Sequence, residues 1–213
     1  MIREIPVFIK ELLWPQTCAG CDTWFSPLCP YCYNKLSFHM LPKKFVLSDT
    51  TTLTVWRALE FDERVKTLIH RLKYQGMYEV APLLADLLHF ATYIPPVDMI
   101  VPVPLHHSRQ QQRGYNQSEL IAKRLAHHLQ VPVIPALLRT IASAQQAKTT
   151  SRTERLENLS GHFVLAPEHQ ASVRGRHILL LDDVLTTGAT LTTCAEVLLR
   201  AAPKEISGLT VAH

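Results

Sequence analysis

His177-Ile-Leu-Leu-Leu-Asp-Asp-Val-Leu-Thr-Thr-Gly-Ala-Thr190 is the stretch whose reading decides the fold. Ile178 to Leu181 shows no polar alternation, so it reads as a strand buried on both faces. It ends on two adjacent carboxylates, Asp182 and Asp183. A short polar turn, Thr186-Thr187-Gly188, follows, and Leu191, Ala195, Leu198 and Leu199 then recur at helical spacing. A buried strand feeding a helix leaves backbone N–H groups and a positive dipole end at the turn, a setting that suits a phosphate. Gly188 lets backbone approach a ligand closely, and the hydroxyls of Thr186, Thr187 and Thr190 can donate to phosphate oxygens. The carboxylates upstream suit ribose hydroxyls, a divalent cation, or both.

Strand, acidic turn and helix occur together in many α/β proteins, and an acidic pair alone carries little. The full pattern over Ile178–Thr190 is more specific. It resembles the phosphoribosyl pyrophosphate (PRPP) motif of type I phosphoribosyltransferases: hydrophobic strand, acidic pair, apolar residues, Thr-X-Gly-X-Thr. Outward from it, Val97–Pro104 and Ile206–Val211 also read as buried strands, with helical patterns between them. Strands alternating with helices from 97 to 211 give an α/β domain with a parallel sheet. The site is then expected at the carboxyl end of the Ile178–Leu181 strand.

Four of the five cysteines form two C-x2-C pairs, Cys18/Cys21 and Cys29/Cys32, seven residues apart. Each pair makes a knuckle, and two knuckles complete a tetrahedral zinc site with no open position for catalysis. The zinc is therefore expected to be structural, folding a segment too small to fold alone. Two disulfides are the alternative and need an oxidising compartment. The fifth cysteine, Cys194, is spaced like a core residue. These features predict an N-terminal helix and zinc module over 1–45 and the α/β domain over 46–213.

The remaining chain supplies helices and a basic surface. Ile5, Phe8, Ile9, Leu12 and Leu13 predict a short amphipathic helix over 3–14, docked on the core or offered to a partner or membrane surface. Residues 35–56, with Lys43, Lys44 and a Thr-rich patch, read as a linker passing into a strand at 53–59. Asp62–Tyr74 and 79–91 predict helices, the first with Arg64, Lys66, Arg71 and Lys73 on a solvated basic face that ends in Lys73-Tyr74-Gln75-Gly76. After Pro104 a cationic loop carries Arg109, Arg113 and Tyr115. Asn116 and Glu119 form a possible capping box for the next helix. Val131–Leu138 and Phe163–Leu165 read as short strands, and Pro167–Gly175 as a turn. Between the two short strands, residues 139–161 include Lys148, Arg152 and Arg155 and have the length of a functional lid. The basic loop is either a solvated turn or a binding surface. In the second case Arg109, Arg113, Lys148, Arg152 and Arg155 would meet nucleic-acid phosphates, and Tyr74 and Tyr115 would stack on bases.

Composition bounds the answer. The 213 residues allow one medium domain plus a small module, and 47% apolar content with a mean hydropathy of +0.04 describes a globular chain. Twenty-two Lys and Arg against eighteen Asp and Glu give +4, which is compatible with a polyanion partner but does not demand one. No run of eighteen apolar residues and no signal-peptide pattern is present, so a cytoplasmic location is expected.

The four-Cys module, Leu72-Lys73-Tyr74-X-Gly76, Val101-Pro102-Val103-Pro104, Arg113-Gly114-Tyr115-Asn116-Gln117, a polar stretch with Gln146, Arg155 and Asn158, and the Asp182-Asp183 loop follow in that order. This succession resembles the ComF (ComFC) family, which joins a zinc finger to a type I phosphoribosyltransferase-like domain. The likeness runs from about Cys18 to Val211. It implies a competence role in natural transformation, the handling of imported single-stranded DNA in the cytoplasm or at the periphery of the inner membrane. The implied ligands are single-stranded DNA and PRPP or a related phosphoribosyl compound, with Mg²⁺ accompanying PRPP and a DNA-uptake helicase or channel as a protein partner. Asp182 and Asp183 would then hold ribose and ion, Thr186, Thr187, Gly188, Ala189 and Thr190 the 5′-phosphate, and residues 102–106 or Lys73 the pyrophosphate, with Tyr74 also counted in the phosphate site. Purine-salvage phosphoribosyltransferases carry a carboxylate, proposed as general base, where this chain has Thr186. No residue that would activate a nucleophile is visible, so catalytic turnover stays open. An active salvage phosphoribosyltransferase and a PRPP-sensing regulator remain the alternatives.

Overall fold

A computed structural model describes residues 17–24, 26–39, 41–140 and 163–213. The helix expected over 3–14 and the lid expected over 139–161, from residue 141 onward, lie outside the described residues. The elements in chain order are α1 (Pro30–Tyr33), β1 (Lys43–Ser48), β2 (Thr51–Leu59), α2 (Glu63–Tyr74), α3 (Val80–Ala91), β3 (Met99–Pro102) and α4 (His107–Arg113). They continue as α5 (Gln117–Leu129), β4 (Leu137–Arg139), β5 (Phe163–Leu165), α6 (Gln170–Val173), β6 (His177–Val184), α7 (Ala189–Leu199) and β7 (Glu205–Ala212).

The main sheet runs β1-β2-β7-β6-β3. The pairs β2/β7, β7/β6 and β6/β3 are parallel, and β1 joins β2 as an antiparallel edge. The central run of β6 is buried from Ile178 to Leu181. Period-two alternation sends Leu179 and Leu181 to a core with α2, α3 and α5, and Ile178 and Leu180 to a second core with α7 and β5. Both faces are covered, which is why the strand needed no polar residues. Among the described residues no helix is long and apolar enough to cross a membrane.

Several elements depart from the sequence reading. The segment taken as a linker is a hairpin, because β1 lies at the sheet edge with one face in solvent and so shows charge where a central strand would not. β1 begins at Lys43, so it spans the position where the α/β domain was expected to start. Phe163–Leu165 pairs antiparallel with β4 in a separate two-stranded ribbon and does not enter the parallel sheet. The expected strand over 131–138 shrinks to Leu137–Arg139 plus one bridge at Val133. The expected turn over 167–175 contains a 3-10 turn and α6. The cationic loop forms α4, with no buried residue to reveal its periodicity, closed by Gly114 at φ 79°.

Candidate functional site

The two carboxylates sit at the carboxyl end of β6 and are held differently. Asp182 Oδ1 accepts from Ser118 Oγ at 3.1 Å and from the Asp183 backbone N–H at 2.9 Å. Asp183, 5% exposed, places Oδ2 2.8 Å from Lys73 Nζ. Burial, and secondarily the neighbouring Asp183 carboxylate, push Asp182 up to about 7; its hydrogen bonds and Lys73 act in the opposite direction. Ser118 reaches Asp182 because the start of α5 is fixed to the end of β3. Asn116 caps the helix by accepting from the Ser118 backbone N–H at 3.0 Å and donates to the Val103 carbonyl at 2.9 Å. The capping box is not reciprocal: Glu119 turns to Lys123, at 2.7 Å.

Thr186 and Thr187 are exposed, and Gly188 is the buried N-cap of α7 at φ 88°, a conformation that favours glycine. Ala189 N–H donates to Thr187 Oγ1 at 3.3 Å, and Thr192 Oγ1 donates back to the Gly188 and Ala189 carbonyls, so the turn is braced from within. Ala189 and Thr190 form the partly buried first turn of α7. Cys194 is fully buried behind them with its thiol pushed up by burial, in keeping with a core role.

Lys73 connects this pair to a second surface. It lines a cavity of about 270 Å³ with Tyr74, Gly76, Gln112, Arg113 and Tyr115. The Arg113 guanidinium stands over the Tyr74 ring, 4.7 Å from its centre, and Arg113 Nη1 donates to Gln117 Oε1 at 3.0 Å. The Tyr115 hydroxyl donates to the Leu72 carbonyl, and its ring meets Tyr78 edge-on at 4.7 Å. Tyr74 keeps 62% of its surface exposed. The basic face expected on α2 is solvated at Lys66, beside Glu63 at 3.2 Å, but not at Arg71 or Lys73. Arg71 is 8% exposed, donates to the Thr17 carbonyl and pairs with Asp22 at 3.2 Å, which ties the cysteine module to α2.

Among the described nucleic-acid candidates, Arg109 does not line the cleft that holds Arg113 and Tyr115. Arg113 and Tyr115 share the cleft beside Lys73. Arg109 is exposed on α4, and its charge, after burial, is a cause of the lowered pKa of Arg139. Arg139 lies over the Phe163 ring and lines a separate cavity of about 270 Å³ with His107, Gln110 and Asn116. Lys148, Arg152 and Arg155 lie outside the described residues. Sequence reasoning missed Ser118, whose contact with Asp182 spans 64 positions and leaves no local signal. Arg139 is merely the first residue of the polar stretch 139–161 in the sequence.

The four cysteine sulfurs lie within 4.8 Å of one another, and Cys18 and Cys32 are buried. That spread fits thiolates around a single zinc at about 2.3 Å each. Cys21 is pulled down to about 6 by hydrogen bonds from Thr23, whereas burial and the neighbouring thiols push Cys32 up to about 12. A cation at the centre would remove that opposition by balancing the sulfur charge.

A phosphoribosyl transferase domain model matches residues 116–212. The DNA utilization protein YhgH of Escherichia coli K12 is 34% identical over 197 residues, spanning 87% of this chain and 83% of that protein. Competence protein F of Haemophilus influenzae is 28% identical over 202 residues, 89% of this chain and 86% of its own. Competence protein ComFC of Bacillus subtilis is 27% identical over 184 residues, 81% of this chain and 71% of its own.

Proposed function

The chain belongs to the ComF family, and on that premise we propose that it is a competence and DNA-utilization protein that handles single-stranded DNA beside a PRPP-type ligand site. The observation that carries the reading is the position of Lys73. Its ammonium pairs with Asp183 and also lines the Tyr74/Arg113 cleft, so the ligand carboxylates and a stacking, cationic surface share one residue. Bases stack on tyrosine without sequence preference, and Arg113 adds a charge for phosphate. In this reading residues 186–190 receive the 5′-phosphate, and Asp182 and Asp183 receive the ribose hydroxyls.

Magnesium would arrive with the pyrophosphate of PRPP and neutralise it. The acidic pair supplies the hard oxygens that magnesium prefers, with Lys73 as a competitor for Asp183. Asp182 keeps its orientation through Ser118 and the Asp183 N–H whichever partner Asp183 takes. The setting we propose is cytoplasmic, beside the inner-membrane machinery that delivers imported DNA.

The shared lysine also favours a second reading, a PRPP-sensing regulator, since a ligand that draws Lys73 from Asp183 changes the cleft. The test is complementation of a naturally transformable host lacking its own family member. Wild type restores transformation. Arg113→Ala is expected to fail there while still binding PRPP, and Asp182→Ala/Asp183→Ala to lose PRPP binding. Full transformation by Arg113→Ala would contradict the DNA-handling role. Full transformation by the double variant would separate the ligand site from the biology.

A further inference from the structure

The β1–β2 hairpin stands against the phosphate turn, although it lies outside residues 116–212 matched by the phosphoribosyltransferase domain. A Cβ added at Gly188 would meet Phe45 Cε1 at 2.3 Å and Cζ at 2.5 Å, so the ring edge rests directly on the glycine. The Lys43 ammonium stands over that same ring, 5.1 Å from its centre. Strand parity agrees with these contacts. Lys43 pairs with Val55 and Phe45 with Leu53, and paired residues share a face. Two positions on from Val55, Arg57 pairs with Thr210, which pairs in turn with Asp182. Lys43, Phe45, Arg57, Thr210 and Asp182 therefore belong to one face of the sheet, the face that α7 covers with Leu191 and Cys194.

β1 runs antiparallel, so Lys43 is the end of β1 nearest the carboxyl ends of the parallel strands, level with Val55, Gly208 and Leu180. Thr210 is 0% exposed, and its hydroxyl has no partner among the described residues. Lys44 is on the opposite face of the same strand and is also exposed.

We propose that the hairpin forms the second wall of the phosphate site, with Lys43 as the cation that contacts the phosphomonoester of the ligand and Phe45 as the residue that positions the Gly188 turn. The inference rests on the PRPP-type reading of residues 182–190. A turn built from threonines and backbone N–H groups carries no full positive charge of its own, and a phosphomonoester carries nearly two negative ones. Lys43 supplies the missing charge from outside the turn.

Calorimetric titration of the zinc-loaded full chain with PRPP, ribose 5-phosphate and pyrophosphate tests this. Lys43→Ala is expected to weaken ribose 5-phosphate and PRPP about tenfold, the scale of one charged hydrogen bond. Pyrophosphate binding should stay within twofold, Lys44→Ala should match wild type for all three probes, and Lys43→Arg should recover most of the loss. Equal affinities for Lys43→Ala and wild type, or the same loss in Lys44→Ala, would overturn the proposal while leaving the PRPP-type reading intact. Wild-type protein that binds none of the three probes would overturn that reading and the hairpin's role with it.

Discussion

Lys73 and Asp183 form a partly buried pair, and the two partners are not equally replaceable. Lys73→Met leaves a 5% exposed carboxylate without its cation, which should cost about 2 kcal/mol in urea unfolding. Adding Asp183→Asn should recover much of that, because the amide tolerates the site without a counter-charge. Asp182 carries the opposite expectation. Its carboxyl is raised from 3.8 to about 7 in the folded protein, so the folded state holds a proton that the unfolded chain has released. Stability from this group is complete below about pH 4 and falls as pH rises toward 7. Asp182→Asn removes the penalty, and its melting temperature should exceed that of wild type at pH 8 but not at pH 4. The difference at high pH should be on the order of 2 kcal/mol. Equal gains at both pH values would show that the Asp182 charge is not the cause.

The turn between β6 and α7 is set by contact as much as by its own conformation. Gly188→Ala meets two penalties, the positive φ and the Phe45 ring. It should cost about 2–3 kcal/mol. In a Phe45→Ala background the steric share disappears, and the same substitution should cost about 1 kcal/mol. A thermal-unfolding double-mutant cycle measures the difference. β6 itself was legible because burial on both faces leaves an uninterrupted apolar run, and α2 and α3 were legible from their apolar stripes. The hairpin was not. The edge strand begins with Lys43 and Lys44 and leads into the threonines of the turn and β2, the composition of a linker, and its contact with Gly188 joins positions too far apart for periodicity to register. α4 was hidden for a related reason, since a short helix of His, Ser, Arg and Gln buries nothing. Arg71 looked like its solvated neighbour Lys66 because sequence cannot show that the cysteine module covers that side of the helix.

At the scale of the molecule, α2 holds both the cysteine module, through Arg71 and Asp22, and the acidic pair, through Lys73 and Asp183, from positions two residues apart on one helix. Zinc removal by a chelator should therefore disturb more than residues 17–39. Tyrosine fluorescence from the Tyr74/Tyr115 cleft should change along with loss of the module, and Arg71→Ala should lessen that coupling. The cleft also sets the expected response to salt. Affinity for single-stranded DNA should fall as ionic strength rises, and Arg113→Ala should reduce the slope by about one. In the proposed function the ligand carboxylates and the DNA-contacting surface meet at Lys73. The most direct test is the fluorescence anisotropy of a labelled oligothymidylate titrated with the full chain at one ionic strength, with and without saturating PRPP and magnesium. PRPP is expected to shift this binding at least fivefold, the lower range of coupling between linked sites, and the sensitivity is expected to be lost in Lys73→Met. An oligothymidylate affinity that is identical with and without PRPP, in protein shown to bind both, would contradict this reading.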